Sequence, residues 1–421
     1  MIRIKKKLKL KIAKYSISEL SIVVMALLTA STGIISYWCN ISMSYADDIL
    51  TVLTVFYAAV ILIFFHEKSK VPIGIFLFPI TMTGIGLIGN ATNNYQSNHF
   101  AIIMDAFSWQ KFFLLYACFV VIFKRKKERV FLYLYTSQKI SKFLVIYGLI
   151  TAMLNLTGII QLAPGHERYG FPAFSFGLHP SNTASILAAM VGLLYWKEED
   201  NIWYIYISLV LLVLTFRFKG IAFACLAVYF IVRSKCNNKI RSKIKIPLII
   251  QMLPIIICIL LVCWEQIAFY FMRPTASRAR ALMASLKIAA KAFPFGGGFA
   301  SFGSLMSGTY YSNAYRQFGL SDIWGFTSEN YGFIGDGGFA TVIGQLGWSG
   351  LLIIVLNIEW ICKFIKKNSE KKELPVSCLL LLAYLLISQS NEGAFYAENA
   401  PIFALILALL TVAYNQMKEA V

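Results

Sequence analysis

The chain is 421 residues long, 58% hydrophobic and 15% aromatic, with only 14% charged residues and a formal net charge of +19. So much apolar surface, in long uncharged runs over the whole length, excludes a soluble globular fold. A transmembrane barrel is excluded as well, because its strands read as short alternating segments rather than runs of about 20 apolar residues. On so apolar a chain the positive balance marks cytoplasmic loops, and no nucleic-acid partner is expected.

In chain order, "MIRIKKKLKLKIAK" precedes an apolar run without a small-residue cleavage site, and is expected to be a retained cytoplasmic start. Spanning helices are predicted at 18–39, 49–65, 72–89, 106–123, 143–162, 180–196, 202–216, 219–233, 246–265, 338–361, 376–389 and 400–416. That makes an all-α polytopic membrane protein of about twelve spans, a single transmembrane domain over 1–421 with both termini on one side. In this topology 29 of the 39 Lys and Arg residues fall in inward segments, leaving ten outward, as the positive-inside rule requires. The eight cysteines stand mostly inside apolar runs without a CxxC or Cys/His cluster, so neither a metal nor a disulfide framework is expected.

Three outward stretches carry the candidate chemistry. The first is "ERYGFPAFSFGLHPSNTAS" (167–185), with Arg168 and His179; Pro180 suits the first turn of a helix that Ser181 or Asn182 can cap. The second is "TFRFKG", a tight hairpin holding Arg217 and Lys219. Each cation adjoins a helix end, where it either snorkels to lipid headgroups or meets an anion. Two cations in so short a turn are costly without an anionic partner, and the planar fork of Arg suits phosphate.

The third stretch, 266–337, is too long for a simple connector. Within it "ASRARALMASLKIAAKAF" places Arg278 and Arg280 on a predicted amphipathic helix lying in the outer interface. Arg273 precedes it, and the glycine-rich "PFGGGFASFG" follows. "SENYGFIGDGGFATVIGQLGWSG" then sets Glu329 and Asp336 before the tenth span. His179 either satisfies a backbone carbonyl or serves a sugar as proton acceptor or hydrogen-bond donor. Asp336 either serves as that base or pairs with an arginine, and Glu167 is expected to pair with an arginine.

The order "R-x-G…HPSN", "LTFRFKG", "ALMASLKIAAKAFPFGGGFASFG" and "DGGFATVIGQLGWSGLL", over roughly residues 160–355, resembles the O-antigen polymerase and ligase superfamily. The resemblance implies a GT-C-like membrane fold in the bacterial cytoplasmic membrane with both termini cytoplasmic. It implies an inverting glycosyltransferase that takes undecaprenyl-diphosphate-linked oligosaccharides and needs no cofactor. Membrane lipid, a chain-length regulator and a flippase are the partners it implies. Arg168 and Arg217 match the family's outer arginines. Family ligases often carry a histidine-asparagine pair before the helix after the large loop; "SEN" or "GDGG" stands here, which favours a polymerase of O-antigen or capsule repeats. On this reading Arg168, Arg217, His179 and Asp336 are catalytic, and Lys219, Arg273, Arg278, Arg280, Asn182 and Glu329 bind substrate. The alternatives are a ligase, or a flippase or transporter of the same lipid-linked repeat; transporters tend to show internal two-fold symmetry, which is not evident here.

Overall fold

The computed structural model describes residues 46–419 apart from 70–72, 126, 169, 178, 236–252, 254–256, 258, 262, 274–275 and 370–372. The predicted first span and most of the ninth lie outside the described residues.

The chain is mostly helical. It runs through α1 (Ala46–Ser69), a 3-10 turn (Ile73–Phe76), α2 (Leu77–Asn93), α3 (His99–Trp109), α4 (Lys111–Arg125) and α5 (Lys127–Leu156). The two short strands β1 (Glu167–Arg168) and β2 (Phe171–Pro172) pair as an antiparallel hairpin. Then come α6 (Pro180–Tyr195), α7 (Glu198–Leu214), α8 (Phe218–Lys235), α9 (Trp264–Ile267) and a π-helical turn (Ala268–Met272). The remainder is α10 (Ser277–Lys291), α11 (Leu305–Thr309), α12 (Asn313–Gln317), α13 (Gly338–Asn368), α14 (Val376–Gln389) and α15 (Ala400–Glu419).

Among the described residues five helices are long and apolar enough to cross a membrane, in α1, α2, α5, α13 and α15. Counting α3 and α4 as one span bent by 52° makes six. The predicted spans at 180–196, 202–216 and 376–389 are present as shorter helices of 16, 17 and 14 residues. Nearly every side chain of α4 and of the first four turns of α15 is buried, so these two helices form the centre. Phe56, Ile63, Ile80 and Phe143 on the rim helices are each about two-thirds or more exposed, an apolar surface of the kind a bilayer covers.

The helix expected over 106–123 is instead broken at Gln110, and three anchors account for the bend. Trp109 Nε1 donates to Gln345 Oε1 at 2.6 Å, Gln110 Nε2 donates to Thr83 Oγ1 at 2.9 Å, and Lys111 pairs with Asp47 and Asp48 at 2.6 and 2.7 Å. The predicted amphipathic helix is α10. Its apolar face (Ala281, Ala284, Ile288, Ala289) is buried and packs on α13, so it is covered by protein rather than lipid. Small side chains there let the two backbones approach closely.

The glycine-rich stretch clasps α2 to α13. Helix α13 is interrupted at Gly347, whose φ is +63°, and the carbonyls of Gly344 and Gln345 accept from the N–H groups of Gly297 and Gly298 at 2.8 and 2.7 Å. Gly298 (φ +86°) lies so near α2 that a Cβ would sit 2.3 Å from the Asn90 nitrogen, and the Asn90 side chain bonds both the N–H and the carbonyl of Phe299. At its start α13 leans on the turn after α14: a Cβ at Gly338 would lie 2.3 Å from the Glu392 carbonyl. Asp336, two residues earlier, lies near enough to Glu392 for the two charges to act on each other.

Candidate functional site

Several helix ends meet around one polar cluster. His179 itself caps α6, its Nδ1 accepting from the Ser181 N–H at 3.3 Å, with Pro180 in the first turn. Ser181 and Asn182, the two expected cap residues, do not cap it; the Ser181 hydroxyl donates to Glu392 Oε2 at 2.9 Å. After α7 the chain reverses through Phe216, whose φ of +49° is unusual for a bulky residue, and α8 starts at Phe218.

This turn gives its two cations different fates. Lys219 is 2% exposed, and its Nζ donates to Glu392 Oε1 and to the hydroxyls of Ser185 and Ser388 at 3.2 and 3.4 Å. Arg217 Nη2 lies 3.3 Å from His166 Nδ1 and 3.2 Å from His179 Nε2, while its Nε is buried with no partner among the described residues. Arg168, on β1, donates to the Phe216 carbonyl at 3.5 Å and to the Tyr270 hydroxyl at 3.3 Å. Arg278 donates to Asn391 Oδ1 at 2.8 Å, approaches Asp336 Oδ2 at 3.7 Å, and lies 4.1 Å from the Tyr270 ring centroid. The Arg278 Nε is likewise buried with no partner among the described residues. Among the described residues neither Arg168 nor Arg217 forms an ion pair. Four cations (Arg168, Arg217, Lys219, Arg278) thus face two carboxylates, Glu392 and Asp336.

The imidazoles do not supply the missing negative charge. The His166 and His179 rings meet edge to face, 4.8 Å apart. His179 keeps one edge exposed. Loss of solvent on its inner side, then Arg217, His166 and Lys219, lower its pKa to about 4 against the opposing pull of Glu392. Partial burial, Arg217 and Arg168 likewise lower that of His166. A neutral His179 accepting at Nδ1 carries its proton on Nε2, which then faces the Arg217 guanidinium donor to donor. An anionic oxygen lodged between Arg217 and His179 would accept from both.

Burial pushes the Glu392 carboxyl up, but Lys219 and hydrogen bonds from Lys219, Ser181 and Ser388 outweigh it and hold it below the usual range. The Asp336 carboxyl is raised by burial against the pull of Arg278.

The structure therefore gathers Arg168, Arg217, His179, Lys219, Arg278 and Asp336. Lys219 is compensated from within the chain. Asn182 stands in the first turn of α6, half-buried, and among the described residues no hydrogen bond joins its side chain to the cluster. Arg273 is exposed and stacks on Phe269 at 4.5 Å. Arg280 is exposed about 200° around α10 from Arg278. Glu329 is exposed and forms no ion pair among the described residues, nor does Glu167. Sequence reasoning assigned no role to Glu392, Tyr270 or Asn391. The signal for Glu392 was that of Arg217, a charge just beyond an apolar run.

Among the described residues no group of three or more His, Cys, Asp or Glu is arranged to hold a metal ion. What the cluster can do is bind an oxyanion of about two negative charges through guanidinium forks. The chain matches no protein-family model and no curated protein.

Proposed function

We propose that the chain is a membrane glycosyltransferase that polymerises undecaprenyl-diphosphate-linked oligosaccharide repeats of a capsule or O-antigen at the outer face of the bacterial cytoplasmic membrane. The observation that carries this reading is the Arg168–Arg217 pair, two neighbouring cations that form no ion pair among the described residues, at the end of an apolar bundle. Two half-buried like charges held this close repel each other until an anion joins them. A diphosphate has the charge and the bidentate oxygens to do so.

In the reaction the acceptor sugar hydroxyl attacks the anomeric carbon of the donor. The new C–O bond forms as the bond to the diphosphate breaks, inverting the centre. Charge grows on the departing diphosphate, which Arg168 and Arg217 stabilise, while neutral His179 donates its Nε2–H to the same group. Asp336, close to Arg278 and with its carboxyl raised, takes the proton of the acceptor hydroxyl. Incubating the purified protein with a lipid-linked repeat tests the reading, and lengthening of the glycan is the expected product. Transfer only to a different acceptor would make the chain a ligase; translocation without a new bond would make it a transporter.

The reading also needs twelve spans in a GT-C-like arrangement with the cluster outside. In a cysteine-free background, an impermeant thiol reagent added outside intact cells should label Ser97→Cys and Ser328→Cys, at exposed positions. It should not reach Glu199→Cys or Lys367→Cys. External labelling at 199 or 367 would place the cluster on the wrong side for a lipid-linked repeat.

A further inference from the structure

Tyr270 lies in the π-helical turn Ala268–Met272, a wide turn rare in proteins and frequent at functional sites. Its hydroxyl accepts from Arg168 Nη2 at 3.3 Å, and its ring carries the Arg278 guanidinium 4.1 Å from the centroid. The neighbouring Phe269, edge to face with Tyr270 at 5.1 Å, carries the Arg273 guanidinium in the same way at 4.5 Å. Two consecutive aromatic rings thus rack three arginines from three segments of the chain.

Such a fixture answers a physical need. Arg168, Arg217 and Arg278 repel one another, and Arg168 and Arg278 both weigh against the charge on Arg217. Among the described residues, Asp336 is the one carboxylate in ion-pair contact with any of the three, and at 3.7 Å it is a distant partner of Arg278. Long cationic side chains left alone would spread into solvent in many rotamers. An aromatic ring is a suitable counterpart, because it attracts a cation through its quadrupole without neutralising it. The arginines keep their charge for a ligand, and the ring fixes where that charge points.

We propose that Tyr270 is a positioning residue for lipid-diphosphate binding, holding Arg168 through its hydroxyl and Arg278 through its ring face so that both converge with Arg217 on one anion. This rests on the reading of the cluster as a diphosphate site. The two contacts use different parts of one side chain, so they separate cleanly. Tyr270→Phe removes the Arg168 contact and keeps the ring under Arg278. Tyr270→Leu removes both.

The test is equilibrium binding of farnesyl diphosphate to the purified full-length protein in detergent. Tyr270→Phe should weaken binding about tenfold, the loss of one hydrogen bond to a charged group. Tyr270→Leu should weaken it about a hundredfold, as a cation–π contact is lost as well. In an Arg168→Gln background Tyr270→Phe should cost nothing further, because its target is already gone. A merely structural tyrosine would lose the same factor in both backgrounds, and that result overturns the proposal. So do Tyr270 variants that bind like wild type while Arg217→Gln loses binding; the anion site then stands without Tyr270. If the wild type does not bind the probe, or binds it no better than Arg217→Gln, the diphosphate reading falls and this inference with it.

Discussion

Replacing Arg217 by glutamine is expected to abolish chain lengthening while leaving the folded protein as abundant and at least as heat-stable as wild type. The two halves of this outcome come from one feature. Among the described residues Arg217 forms no ion pair and its Nε is buried and unpaired, and Arg168 lies close enough to oppose its charge, with Asp336 acting only from a distance. Removing it from the ligand-free protein therefore relieves repulsion, and the same change takes a forked donor from the leaving diphosphate. The loss of one preorganised donor to a developing oxyanion is worth about a hundred- to a thousandfold in rate. Arg217→Lys should retain part of the activity, since it keeps the charge and loses the bidentate geometry. A soluble lipid diphosphate should raise the melting temperature of the wild type but not of Arg217→Gln, because only a protein that binds the ligand is stabilised by it. The assignment is lost if Arg168→Gln and Arg217→Gln both give normal polymer ladders. A large drop in stability for Arg217→Gln would equally count against it, since that marks a structural arginine.

The opposite pattern is expected two residues on. Glu392→Ala should strip Lys219 of its counter-ion inside the bundle and prevent accumulation of folded protein. Lys219 is 2% exposed and Glu392 a quarter exposed, and the pair is reinforced by Ser181, Ser185 and Ser388. Breaking a buried pair from one side typically costs about 3–5 kcal/mol, a large share of the roughly 5–15 kcal/mol that holds a typical domain together. Removing both charges together with Lys219→Met and Glu392→Gln should restore much of the loss, because no uncompensated charge remains. Thermal unfolding of the detergent-solubilised proteins measures this. Wild-type stability for Glu392→Ala would show that the pair is not a support of the bundle.

Arg217 and Lys219 were indistinguishable in "TFRFKG". Both stand in one short turn, both are cations at the edge of an apolar run, and both looked in need of an anion. The turn at Phe216 sends one side chain towards two neutral imidazoles and the other into a carboxylate 173 residues further along the chain. Arg278 and Arg280 show the same limit. Two residues apart on α10, they fall on different sides of the helix: one enters the cluster and the other is exposed. The two glycine motifs read as turns, which they are, but their joint role was hidden. "PFGGGFASFG" supplies the N–H groups that the interruption in "GQLGWSG" leaves wanting.

What the sequence determines by itself is what hydropathy and local steric rules reach. It determines the helical class, the positions of most helices, the helix start at Pro180 and the amphipathic helix over Ser277–Lys291. It also marks the charges at helix ends among which Arg168, Arg217, His179, Arg278 and Asp336 are found together. These are legible because the penalty for a charge near an apolar run, or for proline within a helix, depends only on neighbouring residues. The tertiary structure alone decides which charge finds a counter-charge. It seats Glu392 under Lys219, leaves Arg168 and Arg217 without an ion pair among the described residues, and places Tyr270 between two arginines. Coulomb energy and hydrogen bonding act over a few ångströms of space, and those few ångströms are set by segments that the chain brings together from afar, 173 residues apart for Lys219 and Glu392.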